Sequence, residues 1–257
     1  MTADSKIAIV TGANRGLGRD TALRLAEDGV DLIITYRSHA EEAQDLIDTV
    51  TAATGPGRTA YALQLDTGRL DGFDAFTEDV RRLLKEGWGR DSFDFLVNNA
   101  GTAGYAPIAE TTVEAFDELL NVHFRGVYFL TQKLVPLIAD GGRIVNISTG
   151  LTRFTFAGSS AYASMKGAVE VFTRYLAEEL GARGITANTV APGPVATDFG
   201  GGRLRGSEDM RTMLGGRTAL GRVGAPEDIG GVVAALLSGR TGWVTGQRLE
   251  ASGGILL

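Results

Sequence analysis

Residues 6–18 read KIAIV-TGANRGLG, and this junction decides how the rest of the chain is understood. Ile7-Ala8-Ile9-Val10 is apolar throughout, as a strand buried on both faces of a sheet must be. Thr11-Gly12-Ala13-Asn14-Arg15-Gly16-Leu17-Gly18 follows, and then Leu17, Ala22, Leu23 and Ala26 recur at helical spacing. A strand, a glycine turn and a helix in this order form a cradle for a pyrophosphate. Gly12 permits the tight turn, Gly16 lets the backbone come close, Gly18 lets the helix pack on the sheet, and the free N–H groups of the helix start face the phosphates.

Outward from that junction the pattern repeats. KIAIV, VDLIIT, RTAYALQL, FDFLV, GRIVNIS, GITANTV and GQRLEA read as strands. Between them helices are expected over Leu17–Glu27, His39–Thr51, Asp71–Lys85, Val113–Ile138, Ala161–Leu180 and Pro226–Leu237. Pro226 suits a first helical turn, and Pro136 should kink or end its helix. This alternation implies an α/β, Rossmann-like doubly wound parallel sheet of about seven strands with helices on both faces. No linker or repeat divides residues 1–257, so one domain is expected. The glycine cluster around Phe199–Gly206 and the aperiodic run after it suggest a mobile substrate flap at about 198–216.

Composition removes several functions. A net charge of −6 provides no field for nucleic acid. The absence of cysteine excludes disulfides and thiolate chemistry, and it suits the cytoplasm. The start MTADSKIAIV is too weakly apolar for a signal segment, and no apolar run nears the roughly 20 residues that span a bilayer, so no membrane association is expected. The two histidines, His39 and His123, lie far apart without a carboxylate cluster; structural roles and no metal are expected.

The second strand ends at Thr35-Tyr36-Arg37-Ser38. A carboxylate here would hold a ribose 2′-hydroxyl, but none is present. Arg37 at the strand end and Arg15 in the glycine loop can instead pair with a 2′-phosphate, which favours NADP(H) over NAD(H).

Tyr162-Ala-Ser-Met-Lys166 opens a helix and sets a phenol and an ammonium one turn apart. The chain holds four lysines, Lys6, Lys85, Lys133 and Lys166, so a chance Tyr-x-x-x-Lys is expected about a tenth of a time. A phenol near its ordinary pKa of about 10 is a poor base at neutrality. A neighbouring cation should lower that pKa toward the working range.

With these residues in view, the chain resembles the short-chain dehydrogenase/reductase family, in its single-domain type with a TGxxxGxG loop and a YxxxK pair. The likeness extends over TGANRGLG, Asn98-Asn99-Ala100-Gly101, Asn121, GRIVNIST, YASMK and Pro192-Gly193-Pro194-Val195-Ala196-Thr197. It implies hydride transfer between a nicotinamide and a carbonyl or secondary alcohol, with Tyr162 as general acid and base. It implies that Asn99, Ala100 and Gly101 support the adenosine side, that Asp66 with Thr67 meets the adenine, and that Pro192, Gly193, Val195 and Thr197 meet the nicotinamide end. Asn121 would anchor a water linking Lys166 to solvent. The substrate-binding hydroxyl is usually a serine; the spacing from Tyr162 puts Thr149 there, with Ser148 as the alternative. Enoyl-type reductases of related fold place more residues between Tyr and Lys than YASMK does.

Candidate substrate residues are Thr102, Tyr105, Arg153, Phe154, Phe156 and Phe199, on loops at the carboxyl ends of strands. The surplus apolar residues of the Ala161–Leu180 helix suggest a homo-oligomer, tetramer or dimer. The competing reading is a non-catalytic NADP(H)-binding sensor or interaction module of the same fold.

Overall fold

A computed structural model describes residues 5–54 and 59–257; Met1–Asp4 and Arg58, the first residue of the expected third strand, lie outside the described residues. The chain runs β1 (Ile7–Val10), α1 (Gly16–Glu27), β2 (Asp31–Tyr36), α2 (Ala40–Thr54), β3 (Ala60–Gln64), α3 (Phe73–Trp88) and β4 (Phe93–Asn98). It continues through α4 (Val113–Leu120), α5 (Gly126–Leu134), β5 (Ile138–Ile147), α6 (Ser160–Leu180) and β6 (Thr186–Pro192). It closes with α7 (Arg203–Gly206), α8 (Glu208–Gly215), α9 (Pro226–Leu237) and β7 (Arg248–Ala251).

The seven strands form one parallel sheet in the order β3-β2-β1-β4-β5-β6-β7. Strand periodicity sorts the apolar residues into two layers. Ala8, Val10, Leu32, Ile34 and Val97 pack against α1, α2 and α9; Ile7, Ile9, Ile33, Leu96 and Ile144 pack against α3, α5 and α6. Each fully buried Ile or Leu contributes about 2 kcal/mol of apolar transfer. The strand order reverses between β1 and β4, and this opens a crevice at the carboxyl ends of the strands.

Two expectations need correction. The run Val113–Ile138 is not one helix. A five-residue π turn, Asn121–Arg125, separates α4 from α5, the helix stops at Leu134, Pro136 sits in a 3-10 turn, and Ile138 begins β5. The segment after Phe199 is not aperiodic coil either. It folds into α7 and α8, the latter capped by Ser207, whose hydroxyl accepts from the Met210 amide. Among the described residues no helix is long and apolar enough to cross a membrane.

Candidate active site

The β1–α1 turn is held open from below. Asn99 Nδ2 donates to the carbonyls of Thr11 and Gly12 at 2.8 and 3.1 Å, and the amides of Asn99 and Ala100 donate to Thr11 Oγ1, both at 3.0 Å. Gly12 lies at φ +61°, and a Cβ there would meet Ala100 Cα at 2.9 Å, so no other residue fits the turn. Arg15 is the N-cap of α1 and offers no side-chain hydrogen bond to the first amides. Those amides therefore remain available to an anion. Asn14 ties the loop to α2 through a 2.7 Å bond to Glu42.

This turn forms one end of a cavity of about 920 Å³. Gly12, Asn14, Arg15, Gly16, Leu17, Arg37 and Ser38 line that end. Asp66, Thr67, Asn99, Ala100 and Gly101 line the middle, and Pro192, Gly193, Val195 and Thr197 line the opposite wall. Arg15 and Arg37 are exposed and make no ion pair among the described residues. The donor set thus fits a dinucleotide with an extra phosphate: free backbone amides for the pyrophosphate, and two unpaired guanidinium groups beyond it. Tyr36 does not line the cavity but packs on the hydrophobic layer beside α1 and α2; Gly18 does not line it either but lets α1 close onto the sheet, as expected, since a Cβ there would meet Asn99 and the Gly12 carbonyl.

At the other end of the cavity β5 delivers two adjacent hydroxyls in opposite directions, as strand geometry requires. Ser148 Oγ donates to Glu170 Oε1 at 2.7 Å, and Thr152 and Arg248 reach the same oxygen at 2.8 and 2.9 Å. Thr149 Oγ1 accepts from the Leu151 amide at 3.3 Å, and its hydroxyl lies close enough to the Tyr162 hydroxyl to favour the phenolate. The structure thus turns Thr149, not Ser148, toward the phenol.

Tyr162 and Lys166 both lie on the inner face of α6, nearly inaccessible to solvent. Burial raises the Tyr162 pKa, the Tyr105 phenol adds to this, and the nearby Thr149 hydroxyl opposes it. Burial lowers Lys166 to about 8. Its Nζ donates to the Ile147 carbonyl at 2.7 Å and stands 5.9 Å from the centre of the Tyr162 ring. In the protein alone burial dominates the phenol; the expected lowering draws on the oxidised nicotinamide as well as on Lys166.

Asn121 does not line the cavity; its Oδ1 accepts from Arg125 at 2.8 Å. The residue that the turn carries inward is His123, fully buried with its ring edge-on to Tyr162 at 5.0 Å and 88°. A helical-stripe argument could have found it, because His123 is four residues from buried Leu119 while Asn121 is only two.

Thr102, Tyr105, Phe154, Phe156 and Phe199 line the substrate end. Arg153 does not. Its guanidinium forks onto Glu250 at 2.8 and 2.6 Å and bonds the Ile255 and Leu256 carbonyls, so it fastens the carboxyl-terminal tail. Met210, Met213 and Leu214 of α8 line the cavity and were not anticipated; the Ser207 cap followed by Glu208 and Asp209 was their sequence signal.

Comparison with known proteins agrees with this geometry. A sequence model of the family described as "Enoyl-(Acyl carrier protein) reductase" matches residues 12–255. The chain is 34% identical over 252 residues to a hydroxynaphthalene reductase of Aspergillus fumigatus, covering 94% of this chain and 89% of that one. An angucycline C-6 ketoreductase solved with bound NADP superposes with a TM-score of 0.90 at 35% identity, over 97% of this chain and 95% of that one. A blue fluorescent protein from a metagenomic library, solved with NADPH, superposes with a TM-score of 0.88 at 34% identity over 100% of both chains. The chain belongs to the short-chain dehydrogenase/reductase family of oxidoreductases.

Proposed function

We propose that this protein is an NADP(H)-dependent carbonyl reductase that interconverts a ketone or aldehyde and the corresponding alcohol. The observation that carries this reading is the meeting of Tyr162, Thr149 and Lys166 at the end of a cavity whose other end is the β1–α1 glycine turn. A bound nicotinamide supplies or takes up the hydride. The Thr149 hydroxyl orients the substrate oxygen, and the Tyr162 hydroxyl gives it a proton. A phenol that burial keeps protonated is already the donor that reduction needs; alcohol oxidation needs the phenolate, so it should speed up as pH rises. Lys166, largely charged below about pH 8, faces the Ile147 carbonyl and supplies the proton that restores the phenol.

Unpaired Arg15 and Arg37, with Ser38 beside them and no carboxylate at the end of β2, support NADP(H) over NAD(H). Phe154, Phe156, Phe199 and Tyr105 make flat apolar walls, and Met210 and Met213 can adapt to a ring system. Together with the names of the relatives, this supports a fused-ring aromatic ketone as substrate. Residues 1–257 act as one cytoplasmic domain, with a substrate flap at about 198–216. Exposed Val171 and Tyr175 on α6, beside Tyr128 and Phe129 on α5, support a homo-oligomer, which sedimentation at micromolar concentration tests.

The functional test follows nicotinamide absorbance with NADPH and, separately, NADH against fused-ring ketones, small aldehydes and an enoyl thioester. Fused-ring ketones with NADPH should give the highest kcat/KM. Consumption with the enoyl thioester alone would favour the chemistry named by the family model. Tight NADPH binding without turnover of any carbonyl would favour the sensor.

A further inference from the structure

Arg203 brings to the substrate end of the cavity a charge that the chemistry just described does not use. It opens α7, lines the cavity, and among the described residues makes no hydrogen bond or ion pair. Its neighbours leave that charge uncancelled. Asp198, the carboxylate among the residues lining this end, is taken by Arg205 at 2.6 Å, and Arg205 lies outside the lining. Lys166, the other cation at this end, is buried against the Ile147 carbonyl. The chain as a whole carries a net charge of −6, so a free guanidinium over the cavity is not the overflow of a basic surface.

An exposed arginine alone is commonly just solvated, but here Tyr105 supplies a second donor. Tyr105 lines the same end, and its Cε2 lies 3.7 Å from where a Cβ on Gly200 would stand, three residues before Arg203. Its hydroxyl has no hydrogen-bond partner among the described residues. Burial raises the Tyr105 pKa and the charge of Arg203 opposes that rise, so the phenol is a protonated donor within electrostatic reach of the guanidinium. The same phenol acts on Tyr162, whose ionisation it disfavours. An unengaged O–H donor beside an unengaged fork of N–H donors suits a carboxylate, whose two oxygens accept and whose charge the guanidinium balances. A neutral acceptor would satisfy the hydroxyl and leave the charge unused.

We propose that Tyr105 and Arg203 form a subsite for a carboxylate on the substrate, so that the ketone reduced beside Tyr162 belongs to an acidic aromatic molecule. The inference rests on the carbonyl-reductase reading and deepens it. The carboxylate takes no part in bond making: hydride still reaches the carbonyl carbon and the Tyr162 proton the carbonyl oxygen. It anchors the far side of the ring system to α7.

The test compares tetralones bearing a carboxylate at different positions of the aromatic ring with the matching carboxamides, which keep the shape and lose the charge. With NADPH the wild type should prefer at least one acid over its amide by about 10-fold in kcat/KM. Salt at about 1 M, where the Debye length is about 3 Å, should reduce that preference. Arg203→Gln should bring the acid-to-amide ratio close to one, Arg203→Lys should retain part of it, and Tyr105→Phe should lower it about 3-fold. Arg217 is the control. Its guanidinium lies 5.4 Å from the centre of the Phe156 ring without lining the cavity, so Arg217→Gln removes a charge from the same region and should keep the preference. A ratio near one for every acid in the wild type would overturn the proposal, as would equal falls in Arg203→Gln and Arg217→Gln. Calorimetric titration with 2-naphthoate at saturating NADP+ reads the subsite without turnover; Arg203→Gln should weaken binding about 10-fold, and 2-naphthamide should bind no better to wild type than to that variant. A wild type that reduces no ketone but binds naphthoate through Arg203 would remove the reductase reading and keep the subsite. A wild type that reduces neutral ketones and ignores the carboxylate in both measurements would remove the subsite alone.

Discussion

Ser148 and Thr149 are neighbours in sequence, but they open onto two different electrostatic environments. On the Ser148 side, Glu170, Thr152 and Arg248 form a saturated network, continued by Glu250 between Arg248 and Arg153. The Arg153 hydrogen bonds pull Glu250 down to about 2, so charge is favoured there. On the Thr149 side every resolved shift runs the other way: Tyr162 up, Lys166 down, His123 down, each chiefly by burial. The first cluster surrounds Glu250 with hydrogen-bond partners that keep its carboxylate ionised. The other buries its groups, which disfavours their ionised forms. The contrast separates scaffold from chemistry within a single β-strand end.

The contrast breaks most sharply at the phenol. Tyr162→Phe should lower kcat by about 10³-fold, within the range for removal of a general acid, while the melting temperature holds or rises. Retained turnover in a folded variant would mean that the buried cluster is structural after all. Next, Thr149→Ala should cost about 10²-fold in kcat/KM, and Ser148→Ala should leave turnover nearly intact while removing about 1 kcal/mol of stability. The reverse pattern would exchange the two roles. Glu170→Ala removes the shared acceptor of Ser148, Thr152 and Arg248, so denaturant unfolding should report a loss of about 2 kcal/mol, with kcat per folded molecule retained.

A pH-dependent effect lies in the acid limb of stability. His123 is held at about 3 in the folded protein against 6.5 when free. Between those values the unfolded chain binds the proton and the native one does not, so native stability falls as pH drops from 6.5 toward 3. His123→Asn should flatten that part of the profile relative to wild type. Equal slopes in the two proteins would show that the imidazole is not held neutral.

The central strands β1, β2 and β4 were legible because each is a short, largely apolar run bounded by turn residues, and a parallel sheet buries such runs on both faces. The glycine turn and the Tyr162–Lys166 pair were legible because local spacing alone defines them. The break at Asn121–Arg125 was not, since a π turn changes which carbonyl each amide meets without interrupting the apolar stripe. Arg153 looked like a substrate ligand because its partners Glu250, Ile255 and Leu256 lie about a hundred residues away in sequence. Asn121 was assigned by likeness to other proteins, where the helical stripe would have pointed to His123.

The two ends of residues 198–216, the segment proposed above as a flap, are not fastened alike. At its far end Ala219 and Leu220 donate backbone hydrogen bonds to Gly254 and Gly253, Leu256 donates to Arg217, and Arg153 ties that tail to β7 through Glu250. At its near end the chain turns through Gly200, Gly201 and Gly202, three successive left-handed residues that only glycine adopts freely. Any opening of α7 and α8 therefore swings like a door hung on one jamb, with the glycines as the yielding side. The wall carrying Met210 and Met213 would give way, while the wall carrying Phe154, Phe156 and Ile255 would stay still. Molecules that differ in bulk should be sorted by how far they push the first wall, and molecules that differ in ring outline by how well they match the second.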